Sequence, residues 1–267
     1  MNWPAIRAVV VKDLTAVRRS KAVLYPMLLV PLLLLVVLPF ALTLVARSRP
    51  DANIDSFLDT FPGALRHALR GIAPRERLIV FVDGYVLAPM FLIVPLMVSA
   101  VLAADAFAGE KERKTLEGLL HLPITDRDLF VAKLLTAYLP ALAVSWAGFV
   151  LFATTANVMA WPVMHRIFVP TRLWLVVIFW VAPGIATLGL GVMVRVSARA
   201  RTTQEANQLG GAVILPLIVL AMGQATGLLL VDLTIAFLIG GGVWVVALWL
   251  TIRGAHRFTR DHLATRL

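Results

Sequence analysis

Long apolar runs separated by short charged segments dominate the chain. A bilayer core of about 30 Å requires roughly 20 consecutive apolar residues in a helix that crosses it. The pattern predicts an all-α membrane protein with six transmembrane helices, at residues 22–46, 85–107, 134–158, 173–194, 209–231 and 233–252. The last two helices come from one apolar stretch with a turn near Asp232, and a re-entrant segment over residues 223–231 is the alternative.

The chain begins with an amphipathic pattern. Spacings of three and four residues are typical of one face of a helix, and they separate the apolar residues Trp3, Ile6, Val10, Leu14 and Val17. The pattern predicts an amphipathic helix over residues 1–21 that lies on the membrane surface with its apolar side toward lipid. The next apolar run lacks a small-residue cleavage site, so a cleavable signal peptide is not predicted.

Basic residues predict the orientation of the chain. Cytoplasmic segments of membrane proteins are enriched in Lys and Arg. With both termini inside, the cytoplasmic segments hold 17 of these residues and the outer loops hold 8. This topology makes residues 47–84 an extracytoplasmic loop and residues 108–133 a cytoplasmic segment. The predicted location is a bacterial or archaeal cytoplasmic membrane.

Composition narrows the class of function. Hydrophobic residues make up 60% of the chain and charged residues 15%, against about 25% charged in soluble domains. The formal net charge of +10 fits the basic bias of cytoplasmic loops, so membrane lipid is an expected partner and nucleic acid is not. The chain has 0 cysteines, and its histidines lack the spacing of a zinc site, so no catalytic or metal site is predicted.

The predicted spans contain no charged residue well inside them. Ion-coupled carriers usually need a titratable or coordinating group near the membrane midplane. Energy for transport must then enter from outside the bilayer, which disfavours an ion-coupled carrier.

The segment after the second span has an unusual pattern. Gly109 allows the chain to leave that span, residues 110–121 are predicted to form a short helix, and Pro123 ends it. One face of this helix is apolar and the other is charged: Leu116, Leu119 and Leu120 against Glu110, Lys114 and Glu117. Such a helix suits docking on a soluble partner, although a capped loop in solvent has the same composition.

A new helix is predicted directly after Pro123. Thr125 fits the N-cap position, Asp128 is three residues further, and Ile124 and Leu129 fit a hydrophobic staple. The charged segment is therefore expected to lie between two helix ends.

These residues resemble a known family. The run from Gly109 to Glu117 (Gly-Glu-Lys-Glu-Arg-Lys-Thr-Leu-Glu), with Leu119-Leu120 and Pro123-Ile124 after it, is similar to the cytoplasmic signature of ABC-2 type exporter permeases. The similarity is greatest to the branch related to sodium and drug efflux systems. Lys12-Asp13-Leu14 and Arg18-Arg19-Ser20 resemble the connector helix that opens these permeases.

The resemblance implies a single ABC-2 type transmembrane domain over residues 1–267, with a connector helix at 1–21 and a coupling helix within 108–133. It implies two copies of the permease and two ATPase subunits, which bind ATP and Mg²⁺, and no cofactor in this chain. The protomers are expected to form a homodimer, or a pair with a close relative, through their first, second and fifth spans, near Leu35 or Ile214. The residues expected to contact the ATPase are Glu110, Glu112, Arg113, Thr115, Leu116, Glu117, Leu119, Leu120 and Pro123.

The chain does not carry an ATPase motif of its own. A phosphate-binding loop needs two glycines and a Lys-Ser/Thr pair at fixed spacing, and the run from Gly109 to Thr115 lacks the second glycine. ATP hydrolysis is therefore expected in a partner chain. The predicted function is the permease of an ATP-driven exporter of a lipid, drug, peptide or ion. The alternative is a membrane scaffold that binds a cytoplasmic partner without transport.

Overall fold

The chain folds into a bundle of helices. The computed structural model describes residues 1–48, 69, 71–112, 124–198, 200, 202–211 and 233–257. This part contains helices and no strand, and 5 of its helices are long and apolar enough to cross a membrane. The prediction of an all-α membrane protein is confirmed.

Seven helices define the described part. They are α1 (Trp3–Arg19), α2 (Val23–Ser48), α3 (Pro74–Gly109), α4 (Asp126–Met164), α5 (Arg172–Ser197), α6 (Thr203–Gly211) and α7 (Leu233–Arg257). The candidate membrane spans are α2, α3, α4, α5 and α7. The predicted span at 209–231 lies outside the described residues except for its first residues, at the end of α6, so a total of six spans stays a prediction.

Three of the membrane helices contain π-helical turns just before a proline. A proline has no N–H group, so it leaves the carbonyl four residues earlier without its usual helical donor. The prolines are Pro39, Pro89 and Pro183, and the carbonyls they release lie within the π turns Leu33–Val37, Val80–Val86 and Val177–Val181. The wider turn is one of the local adjustments by which a membrane helix accepts a proline.

Helix α3 begins earlier than the sequence predicted. Its first residue is Pro74, so residues 74–84 of the predicted outer loop are helical and run on into the second span. Proline is favoured at the first position of a helix, where its missing N–H group costs nothing. The apolar residue Ile79 is fully buried and packs with Ala46, Ala160 and Met164, which stabilises this extension.

Helix α3 is also the most enclosed membrane helix of those described. Of the 18 residues in its most apolar stretch, 67% are buried, against 22% of the corresponding residues in α2 and 17% in α7. Glycines let neighbouring helices approach: a Cβ at Gly148 of α4 would lie 2.5 Å from the side chain of Leu35. Leu35 is only 3% exposed, so its side chain packs inside its own protomer and does not itself line an interface. Pairing of the first span near Leu35 stays a prediction, and the other predicted position, Ile214, lies outside the described residues.

Helix α1 packs on protein. Its buried residues Ile6, Val9 and Val10 form a cluster with Leu129 and Ala132 of α4. The predicted amphipathic helix is present, but its apolar face contacts the start of α4 where lipid was expected. The physical reason is that α4 offers apolar residues over its first two turns, which can bury this face.

We expect Gly189→Ala in α5 to destabilise the bundle. The added Cβ would lie 2.5 Å from the Ser99 hydroxyl oxygen and 3.1 Å from the Leu96 carbonyl oxygen of α3, and overpacking of this kind costs about 1–3 kcal/mol. Thermal unfolding of the purified protein in detergent measures the change.

Gly241→Ala in α7 is the matched control, since a Cβ there has no atom within 4 Å. It should leave the unfolding temperature unchanged or raise it slightly, because alanine favours helix more than glycine does. Equal effects of the two substitutions would contradict the close approach of α3 and α5.

Candidate functional site

Part of the predicted ATPase contact lies within the described residues. Glu110 and Glu112 form one further turn of helix after α3. The other predicted contacts, Arg113, Thr115, Leu116, Glu117, Leu119, Leu120 and Pro123, lie outside the described residues. The structure therefore describes the two attachments of the predicted coupling segment, at residue 112 and at residue 124.

A buried ion pair fixes the first attachment. The Lys133 ammonium of α4 pairs with the Glu110 carboxylate and donates a hydrogen bond of 2.9 Å to the Ala106 carbonyl oxygen of α3. The Lys133 side chain is only 1% exposed. A buried ammonium without anions nearby would cost several kcal/mol, so these contacts hold the end of α3 against α4. We call this end of the bundle the Lys133 end.

Helix α1 contributes a second carboxylate to the same lysine. Asp13 Oδ2 lies 4.0 Å from Lys133 Nζ, and Asp13 also pairs with the exposed Lys12 at 3.2 Å. The Asp13 side chain is 12% exposed. One ammonium thus attracts carboxylates from α1 and from the end of α3, and it joins three separate stretches of the chain.

Burial raises the pKa of the Glu110 carboxyl, and this effect exceeds the opposing attraction of Lys133. The nearby Asp13 carboxylate raises the pKa further. Because the folded chain then binds this proton more readily than the unfolded chain, the contribution of Glu110 to stability falls as the pH rises above the ordinary glutamate pKa. The ion pair therefore specifies position more than it adds net stability.

Glu112 links the same attachment to α6. Its Oε2 atom accepts hydrogen bonds of 2.9 Å from both the backbone N–H and the hydroxyl of Thr203, the first residue of α6. The first N–H groups of a helix have no partner within the helix, and a carboxylate is favoured beside them. The Glu112 carboxylate therefore caps α6.

The second attachment is also held by specific bonds. The Asp128 N–H donates to the Thr125 hydroxyl oxygen at 3.2 Å, and Asp128 Oδ2 accepts from the backbone N–H of Asn2 at 3.1 Å. The predicted N-cap is confirmed, and Ile124 and Leu129 lie in one apolar cluster as the predicted staple requires. The bond to Asn2 ties the start of α1 to the start of α4.

A second buried polar group lies at the opposite end of α3. Asp83 is fully buried; its Oδ2 atom accepts from the Thr43 hydroxyl of α2 at 2.9 Å, and its backbone carbonyl accepts from Trp174 Nε1 of α5 at 3.2 Å. The other carboxylate oxygen is buried and has no hydrogen-bond donor in the described part of the chain. These contacts join α2, α3 and α5.

The sequence pattern did not identify Lys133, Asp13 and Asp83 as buried groups. Lys133 and Asp83 stand at the edges of apolar runs, and their charges placed them in the predicted loops. A signal for Lys133 was available: it lies four residues after Leu129 and three after Phe130, spacings that place it on an apolar helical face. Among the described residues, no group of His, Cys, Asp or Glu side chains is arranged to hold a metal.

Comparison with known proteins identifies a family. The family model described as ABC-2 family transporter protein matches residues 7–237, a range that includes both attachments and four of the membrane helices in full. This match supports the resemblance to ABC-2 type permeases, while the sodium and drug efflux branch stays a prediction. No curated protein and no solved structure matches the chain.

We expect Glu110→Met and Lys133→Met to be far more harmful singly than together. Each single change leaves a buried charge without its main partner, which costs about 3–5 kcal/mol, whereas the double change removes both charges. Thermal unfolding of all three variants in detergent gives the coupling between the two sites.

Arg166→Met is the control, because Arg166 pairs with Glu76 through an exposed side chain and such pairs contribute about 0–1 kcal/mol. If the loss of stability in the double variant equalled the sum of the losses in the two single variants, the two side chains would not be coupled.

Proposed function

The chain belongs to the ABC-2 transporter family, and we propose that it is the permease of an ATP-driven exporter whose ATPase is a separate chain. As a family member it is a multi-pass membrane component of an ABC transporter. The proposal adds the direction of transport, two ATPase subunits that bind ATP and Mg²⁺, and a second permease protomer. It also adds a bacterial or archaeal cytoplasmic membrane, with the Lys133 end in the cytoplasm.

The two anchored attachments carry the proposal. The described residues before the segment end at Glu112, which caps α6, and those after it include Thr125, which caps α4. A force on residues 113–123 would reach α3 directly through the covalent chain and α4 through the cap at Thr125. Because Lys133 joins these two helices beside the attachments, they would respond as one unit.

The charges at the Lys133 end support its cytoplasmic location. Arg18 and Arg19 of α1 are exposed there, and Arg195 and Arg253 lie near the ends of α5 and α7. Basic residues close to membrane spans favour the cytoplasmic side. An ATPase that binds residues 113–123, beyond the buried Glu110, would then be supplied with ATP.

An energy source outside the bundle fits the few buried carboxylates in the described membrane helices. The one buried carboxylate found within the described membrane helices, apart from Asp128 at the start of α4, is Asp83, and it lies at the end of α3 far from Lys133. A proton or ion relay requires a series of such groups across the membrane. ATP hydrolysis in a partner chain provides the energy without such a relay.

We expect Leu119→Ser with Leu120→Ser to uncouple ATP hydrolysis from transport or to release the ATPase. Each leucine would lose about 1–3 kcal/mol of apolar burial in an ATPase groove. Copurification of the ATPase, and ATP-dependent transport by the reconstituted complex, measure the two outcomes.

Lys111→Ser is the control in the same segment and should leave both measurements close to those of the natural chain. Full transport with the ATPase bound in the double serine variant would contradict the coupling role. If no candidate cargo stimulates ATP hydrolysis by the natural complex or is moved by it, the result would instead support the alternative function as a membrane scaffold.

The proposed second protomer would pair through the outer face of α2. Leu29 and Leu33 are about half exposed, at 55% and 47%, whereas Leu35 is buried. Helix α2 therefore presents an apolar surface that its own protomer leaves uncovered, and lipid or a second protomer would cover it. The permeation pathway would lie between the two protomers.

Introduced cysteines test this arrangement, because the chain has 0 native cysteines. We expect Leu33→Cys to form a crosslink between protomers on mild oxidation, whereas Val245→Cys, 70% exposed on α7, should remain monomeric. Crosslinked dimer on a denaturing gel measures the result. Crosslinking at Val245 alone, in an active complex, would move the interface from α2 to α7.

A further inference from the structure

Two arginines and a tryptophan form a group at the Lys133 end that the proposed coupling does not use. The guanidinium carbon of Arg253 lies 4.2 Å from the centre of the Trp249 ring, and that of Arg195 lies 5.1 Å from the same centre. Arg195 belongs to α5, and the other two residues belong to α7. Two helices thus bring two positive charges to one aromatic ring.

Close packing of α5 and α7 holds this group together. A Cβ at Gly191 would lie 2.9 Å from the Cβ of Leu250, and a Cβ at Gly254 would lie 3.0 Å from Val194 Cγ1. These glycines sit one turn before Arg195 and next to Arg253. The backbones therefore approach as closely as they can beside the ring, and the position of the two guanidinium groups is set by rigid elements.

The positive charge of the group is not matched within the described part of the chain. Neither Arg195 nor Arg253 forms an ion pair there. The Trp249 ring attracts each cation only modestly. The ends of α5 and α7 contribute roughly half a negative elementary charge each, which is less than the charge of two guanidinium groups. A net positive charge remains, and it favours an anion.

The surroundings of Trp249 identify the kind of anion. Tryptophan is enriched at the depth of the lipid headgroups, where its ring is apolar and its N–H group is polar. Trp249 is 48% exposed on α7, the membrane helix with the smallest buried share. A ring in this position is suited to face the lipid headgroups, and the anion expected at that depth is a lipid phosphate.

We propose that Arg195, Arg253 and Trp249 bind the headgroup of an acidic phospholipid. Guanidinium groups bind phosphate oxygens through paired N–H donors, and basic sites between membrane helices are known to hold acidic headgroups. The acyl chains lie along the exposed apolar face of α7, and the headgroup bridges the ends of α5 and α7.

Native mass spectrometry of the purified full chain tests the site by titration with phosphatidylglycerol and, in parallel, phosphatidylcholine. The natural chain should bind phosphatidylglycerol more tightly. Arg195→Gln with Arg253→Gln should weaken that binding on the order of 30-fold, the effect of two basic residues near a membrane surface. Binding of phosphatidylcholine should stay unchanged.

Arg18→Gln with Arg19→Gln is the matched control, since it removes the same charge from two exposed positions at the same end. It should retain the preference for phosphatidylglycerol. Equal loss in both double variants, or equal binding of the two lipids by the natural chain, would overturn the proposal. Displacement of the lipid by excess inorganic phosphate would also overturn it, in favour of a soluble anion site. The comparison of the two lipids uses the natural chain alone, so its result does not depend on whether the variants fold.

Discussion

A single buried ammonium group, that of Lys133, determines how the Lys133 end of the bundle is arranged. An ammonium that is 1% exposed must be surrounded by oxygen atoms, because the cost of removing it from water is otherwise too large. The Glu110 carboxylate, the Ala106 carbonyl and the Asp13 carboxylate supply them. These groups come from the end of α3 and from α1. Their contacts with one ammonium therefore position both elements against α4.

The consequence for the proposed coupling is that the attachments of residues 113–123 are fixed relative to each other. Glu112 is bound to Thr203, and Asp128 is bound to Asn2, so α1 and α6 are tied to the same region. A displacement of the segment would then move a connected set of helix ends. Under this proposal its route into the membrane would be α3, because α3 is the most buried of the described membrane helices and contacts α4 and α5.

Sequence alone predicted the apolar elements well and the polar contacts poorly, for a physical reason. Apolar runs and the Thr125 cap are local features, and both are found in the structure. The partners of Lys133 lie 23 residues before it and in α1, which no local pattern specifies. Helix α3 was predicted too short because Arg75, Glu76, Arg77 and Asp83 interrupt its first turns, and their charges suggested a loop. Leu35 was assigned to an interface because an apolar residue that faces Gly148 cannot be told from one that faces lipid.

The two ends of α3 differ in the strength of their polar contacts, and this difference favours movement at one end. At the Lys133 end, the contacts involve full charges. Such contacts are strong, and their strength depends on the number and distance of nearby anions. At the other end, Asp83 is bound through one hydroxyl and one indole N–H, and these short-range bonds need a fixed geometry. Between them, α3 packs closely against apolar and small residues such as Gly189 of α5. An ionic contact tolerates a shift of an ångström better than a hydrogen bond does, since Coulomb energy changes slowly with distance. If residues 113–123 couple the permease to an ATPase as proposed, a small shift at the Lys133 end would therefore cost less than the same shift beside Asp83.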